Sequence, residues 1–440
     1  MYFKMLSKQL VVLLTSSVLA VTAGSVSAAD TSATPSIDQV AETYVRLGLA
    51  FRQHDRLPSY YFGPKALQQE VEQNPLTLDQ ISQRLEQLQA ELAALPATSD
   101  SLKQQRRRAL AGRLKSMSGR IDIVQGVLPA SFDAEVEQMY GVSVPRRTEQ
   151  DFLALINKLE ELIPGEGDLS ERVARFRDKF VIPVDRLETV IGAALAECRK
   201  QTLEKINFPG PEQATLHLVT DKPWVGFLHY QGQGNSMVLL NKDVPIHLER
   251  AIELGCHEAY PGHHAHATMM DQVLVQQYGW QEYTLIPLFG PQAIIAEGVA
   301  SYAEDLVFSE QERLQFETQT LLPLAGLDAS QLAIYNRYRE IKHELIYAWN
   351  EVARRYLYEG MNKDDAIKWL QKYGLETEAT ATQRLNFISS LRAYVVSYNY
   401  GRDLVREYIE RESRGDEGLK WEIYQQLISN PVLPADLRQN

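Results

Sequence analysis

Four of the chain's nine histidines fall within eleven residues, Cys256-His257-Glu258-Ala259-Tyr260-Pro261-Gly262-His263-His264-Ala265-His266. Imidazoles clustered around a carboxylate are the usual ligands and general base of a zinc hydrolase. In the H-E-x-x-H form, a helix puts two histidines one turn apart, and the Glu faces the water to be activated. Here the second histidine comes late, six residues after His257 at His263 or seven at His264. On an unbroken helix His264 would lie about 10 Å along the axis from His257. Two zinc–nitrogen bonds of about 2 Å cannot bridge that gap. Pro261 removes a backbone donor, and Gly262 tolerates unusual backbone. The helix is therefore expected to loop out residues. If two loop out, His263 is the ligand; if three, His264 is. Both stay candidates, with His263 preferred. The plainer reading, histidines in a solvated turn or hydrogen-bonded in a core, suits a lone His better than this cluster.

Such a site needs a third protein ligand and an open fourth position. The segment Ile295-Ala296-Glu297-Gly298-Val299-Ala300-Ser301-Tyr302-Ala303-Glu304-Asp305 supplies acids at helical spacing, Glu297 and Glu304 sharing a face. Glu297 is read as the ligand. Glu304 is read as an acid that orients a ligand histidine. Glu253, four residues before His257, could do the same or be a surface acid.

The pattern H-E-x-x-P-G-H-H, followed by E-G-x-A-x-Y-x-E, resembles the bacterial family catalogued as domain of unknown function 885. That family is grouped with zinc-dependent peptidases whose third ligand is a glutamate, and its fold is mostly helical. The resemblance implies metal ligation by His257, a histidine of the His263-His264 pair, and Glu297, with Glu258 as general base. A later family pattern, Y-x-x-G, is matched by Tyr398-Asn399-Tyr400-Gly401. The family carries Pro-Gly-Gln just before that tyrosine; here Arg392-Ala393-Tyr394 stands in its place. The resemblance supplies no substrate.

The elements that must position these residues are mostly helices. Val40, Tyr44, Leu47 and Phe51 repeat at helical spacing from Ser36 onward, and Ile81, Leu85, Leu88, Leu92 and Leu95 form a two-heptad stripe that Pro96 ends. Pro58 to Pro64 reads as an aromatic loop. Residues 185–204 form an amphipathic helix with Leu187, Ile191, Leu195 and Cys198 on one side. Trp224–Tyr230 and Met237–Leu240, joined by a Gly-rich turn, read as a hairpin just ahead of the metal helix, and a helix over 246–256 leads into the histidine motif. The hairpin edge could take an extended substrate as an added strand, or merely cover the core. Further helices are expected over 309–322, 329–358, 363–373 and 382–411. The fold class is mainly α: a large helical body with a small β-hairpin or sheet next to a zincin-like metal helix. Three regions follow: 1–28 as signal peptide, 29–205 as an N-terminal helical region, and 206–440 as the metallopeptidase-like catalytic region.

Residues 1–28 have a basic start at Lys4 and Lys8, an apolar run, and a small-x-small ending at Val26-Ser27-Ala28. No other stretch is apolar for long enough to span a bilayer. Cleavage would remove two lysines, taking the formal charge from −12 to −14. That balance argues against nucleic acid or anionic lipid as partner. Arg106-Arg107-Arg108 is then a solvated face. The two cysteines, Cys198 and Cys256, could pair in an exported protein. The expected protein is an exported zinc hydrolase, periplasmic or secreted, acting on a peptide or peptide-like substrate. Glu258 would be its base, and Tyr398, Tyr400 or the spare histidine would stabilise the developing oxyanion. Arg384, Arg392 and Arg402 are candidates to hold a substrate carboxylate. The competing class is a non-catalytic exported metal-binding protein or a degenerate peptidase relative. Glu258 separates the classes, because a metal store needs no base.

Overall fold

The apolar stripe of the first helix is entirely inward. Helix Ile37–Phe51 buries Val40, Tyr44, Leu47 and Phe51, and a capping box of Ser36 and Gln39 starts it. Helix Leu78–Ala94 buries Ile81, Leu85, Leu88 and Leu92, and ends before Pro96. Both stripes join one apolar core that runs on to Leu437 and includes the 29–205 and 206–440 regions alike. The computed structural model describes residues 35–55, 59–222 and 224–438. The expected signal segment lies outside the described residues. Pro35–Asn440 form a compact unit. The chain is 68% helical with small sheets, the mainly α architecture expected. Among the described residues no helix is long and apolar enough to cross a membrane.

Two small sheets accompany the helices. The expected hairpin is present as β3 (Gly226–Gly232) and β4 (Asn235–Asn241), antiparallel with Phe227 opposite Leu239. A strand the sequence reading lacks, β2 (Gln213–Val219), pairs parallel to β4, so the order is β2-β4-β3 and β3 is an edge. Ser59–Tyr61, expected as loop, form β1, antiparallel to β5 (Leu285–Pro287). Three residues carry no readable period, and only the pairing defines them. Pro58 lies outside the described residues.

Four expected helices are interrupted, the 309–322 stretch by a π-helical turn over Glu317–Leu321. The 329–358 stretch breaks at Ile346–Tyr347 into Leu332–Leu345 and Ala348–Leu357. The 246–256 helix starts at Glu249 and widens into a π-helical turn over Leu254–Ala259. The 382–411 stretch is two helices, Glu378–Leu391 and Val396–Ser413, joined by a 3₁₀ turn over Arg392–Val395. At this last break Arg392 has φ +51°, unusual for a residue with a Cβ. The buried Glu135 holds it there. Its carboxylate accepts from Arg392 Nη2 at 2.7 Å, from the Ala393 N–H at 3.2 Å and from the Tyr358 hydroxyl at 2.5 Å. Apolar periodicity alone cannot show a break that a distant carboxylate imposes.

Candidate metal centre

Three elements bring the site together. The first is the π-helical turn. The Tyr260 N–H donates to Gly255 O at 3.1 Å and the Gly262 N–H to Cys256 O at 3.0 Å, which loops the chain out around Tyr260-Pro261. A Cβ on Gly262 would stand 2.0 Å from His257 O, so only glycine lets the loop fold back this tightly. Helix His263–Met269 then resumes. The loop returns His263 to His257, with ring centroids 4.7 Å apart and planes perpendicular.

The second element is helix Pro291–Val307, which carries Glu297. It crosses helix Val396–Ser413 at two glycines. A Cβ on Gly298 would lie 2.4 Å from Gly401 O, and one on Gly401 would lie 2.8 Å from Ile294 O. The glycine beside Glu297 and the glycine three residues after Tyr398 are thus the crossing point itself. Their contact sets the tyrosine helix against the glutamate helix.

The third element is helix Leu187–Leu203 behind the histidine turn. Gly255 lies so close to it that a Cβ would be 2.9 Å from the Leu195 N. Cys198 and Cys256, both fully buried, form a disulfide there, next to His257.

His257, His263 and Glu297 each offer a ligand atom within 4.8 Å of the others. His257 Nε2 lies 3.6 Å from Glu297 Oε2, and His263 Nε2 lies 3.5 Å from Glu297 Oε1. Ligand atoms on a tetrahedral zinc sit roughly 3.3 Å apart. Glu297 Oε2 is buried and has no hydrogen-bond partner among the described residues. Two imidazoles, one carboxylate and an orphaned buried oxygen fit a divalent metal with an open position. Glu297 is held well into its ionised range: burial opposes this, but the His263 and His257 charges outweigh it. Burial, then the charge of His263, pushes His257 down to about 3, favouring its neutral ligand form.

His264 is turned away. Adjacent residues of a helix point about 100° apart. Its Nδ1 lies 2.8 Å from Ser236 Oγ on β4, and its Nε2 lies 3.4 Å from Glu212. Glu212 also accepts from Tyr260 and pairs with Arg199. This buried network ties the loop to the sheet. Glu304 is likewise elsewhere, paired with Arg313 at 2.6 Å, Arg339 at 3.4 Å and His343 at 3.5 Å. Glu253 pairs with Arg250, not with His257. Glu258, on the same turn as His257, is 8% exposed, and burial pushes its carboxyl up to about 7. On β3, Gly226 lies over it, where a Cβ would be 3.2 Å from Glu258 Oε1.

Tyr394 is the site residue that sequence reasoning missed. Its hydroxyl donates to Glu297 Oε1 at 2.6 Å. The available signal was that Tyr394 stands where the resembled family carries glutamine. Tyr398 packs against Tyr394 with ring centroids 5.6 Å apart. Burial, then the charges of Glu297 and Glu258, hold its hydroxyl protonated. Tyr60 on β1 also feels Glu297 and packs against Phe227 of β3, ring centroids 5.3 Å apart and planes tilted by 43°.

No family model and no curated protein matches the chain. Solved structures do. A "putative lipoprotein" from Colwellia psychrerythraea is 14% identical over 91% of this chain and 75% of its own, with TM-score 0.51. A second "putative lipoprotein", from Shewanella oneidensis, is 13% identical over 93% and 79%, with TM-score 0.45. The M32 carboxypeptidase from Deinococcus radiodurans R1 is 11% identical over 91% and 92%, with TM-score 0.43. The first likeness shows a shared fold. Chemistry is argued from the site itself.

Proposed function

We propose that this chain is an exported zinc-dependent hydrolase that cleaves peptide bonds. The observation that carries the reading is the convergence of His257, His263 and Glu297 beside the buried carboxyl of Glu258. A zinc ion held by those three residues supplies Lewis acidity, polarising a carbonyl and acidifying water. Glu258 takes the proton of the attacking water; its raised affinity for protons suits a base working near neutrality. As the water oxygen bonds to the carbonyl carbon, Glu258 passes the proton to the departing amine and the C–N bond breaks. Tyr398 donates its hydroxyl proton in a hydrogen bond to the carbonyl oxygen as negative charge develops there. Tyr394 orients Glu297. The free edge of β3, held over Glu258 by Gly226, accepts an extended peptide as an added strand. Export is supported by the buried disulfide, a bond rare in reducing compartments.

The test is zinc per chain, measured beside Glu297→Ala, followed by peptide-library cleavage with Glu258→Gln as the inactive control. The expected result is about one zinc per chain, lost in Glu297→Ala and kept in Glu258→Gln. Hydrolysis is expected to fall about 10³-fold in Glu258→Gln. A parent chain that takes up no zinc, or cleavage unaffected in Glu258→Gln, would overturn the reading.

A further inference from the structure

Three arginines flank the C-terminal motif, and the structure separates their roles. Arg392 is spent on Glu135 at 2.7 Å and on the Tyr358 hydroxyl at 2.9 Å. Arg402, like Arg384, has an Nε without a hydrogen-bond partner among the described residues, but its Nη2 is spent on Asp305 at 2.5 Å. Arg384 is different. Its guanidinium carbon lies 3.4 Å from the centre of the Trp349 ring and 5.6 Å from that of Phe387. Its nearest acid, Glu376, stands 3.7 Å from Nε, and Nε has no hydrogen-bond partner among the described residues.

Glu376 is also shared. Its charge acts on Arg177 and Lys342 as well as on Arg384. Arg177 has its own acid, Glu249, at 3.1 Å. Burial, then Arg177, pushes Lys342 down to about 8. Glu376 and Glu249 are two carboxylates facing three cations, Arg177, Lys342 and Arg384, which leaves this wall one anion short.

The wall is continuous with the metal centre. Phe387 packs on Tyr398 at 6.1 Å, Tyr398 on Tyr394 at 5.6 Å, and Tyr394 reaches Glu297. A planar guanidinium, fixed by stacking and free along its edge, matches a carboxylate bidentately.

We infer that Arg384 receives the free α-carboxylate of a peptide, so that the chain trims peptides from their C-terminus. The inference rests on the hydrolase reading above. The bond broken is the peptide bond one or two residues from the end. Water oxygen goes to its carbonyl carbon, and the water proton goes through Glu258 to the released amine. No other reactant is consumed.

The experiment uses N-acetylated peptides lacking Asp and Glu, each as free acid and as C-terminal amide. Binding is measured to zinc-loaded Glu258→Gln, and products are read by mass spectrometry with the parent chain. The free acids are expected to bind about 10- to 100-fold tighter than the amides, the scale of charge-assisted hydrogen bonds. Adding Arg384→Ala should abolish that preference, and Arg384→Lys should keep part of it. Parent products should be shortened at the C-terminus alone. Equal affinity for acid and amide, a preference that survives Arg384→Ala, or internal fragments only would each overturn the inference. An acid preference without cleavage of any peptide would uphold the carboxylate site and overturn the hydrolase reading instead.

Discussion

Tyr394 and His266 show two different effects of single buried side chains near the candidate site. The Tyr394 hydroxyl engages Glu297 Oε1, leaving Oε2 unpartnered and free to ligate. Such supporting hydrogen bonds are worth about 10- to 100-fold in metal affinity. Tyr394→Phe is therefore expected to weaken zinc binding by about 10-fold, read by competition with a chromophoric chelator, with the fold unchanged by circular dichroism. His266 is the fourth histidine of the cluster. It is buried, and its Nε2 has no partner among the described residues. Burial, then the charges of His263 and Arg113, lowers its pKa to about 3. The unfolded chain, with an ordinary histidine near 6.5, binds this proton first. The folded chain therefore loses stability as pH falls from 6.5 toward 3. His266→Gln removes that loss. Relative to its value at pH 7.5, the variant should gain about 2 kcal/mol on the parent by pH 5. Urea unfolding of both zinc-free chains at the two pH values measures it.

At the scale of elements, the site depends on one helix crossing and one helix break. Gly298 and Gly401 let the glutamate helix and the tyrosine helix touch backbone to backbone. Gly401→Ala puts a methyl 2.8 Å from the Ile294 carbonyl, so the helices must part. The expected cost is about 1–3 kcal/mol. Glu297 and Tyr398 ride on the two helices, so zinc affinity should fall together with stability. Thermal unfolding and zinc titration of the same variant check the coupling; lost stability with unchanged zinc binding would separate the crossing from the site. The break at Arg392 acts in the same direction. It turns Tyr394 toward Glu297, and the buried Glu135 holds it in place.

Across the whole molecule, the disulfide joins helix Leu187–Leu203 to the histidine turn over a sequence separation of 58 residues. It closes a long loop in the unfolded chain and anchors the backbone next to His257. Replacing both Cys198 and Cys256 by Ala is expected to cost about 2–4 kcal/mol. Unfolding in urea, with and without reductant, measures it: reductant should destabilise the parent and leave the double variant unchanged. The shared fold with the Colwellia psychrerythraea protein extends over 91% of this chain, so the helical body as a whole is the common feature.

The candidate site was legible because residue identity and spacing are local. Two histidines, a base and a glutamate are residue types at spacings, and Pro261-Gly262 announced that the usual spacing had been stretched. The buried stripes of the first helices were equally legible, because a period of 3.6 is written in adjacent residues. Only the tertiary structure decided the rest. It brought His263 rather than His264 beside His257 and Glu297, because that placement depends on how tightly Gly262 folds back against the His257 carbonyl. It moved Glu304 into an arginine network, brought Tyr394 to Glu297, and left Arg384 without a full partner. Each of these depends on groups far apart in sequence, and their meeting follows from packing and charge pairing, which no local period encodes.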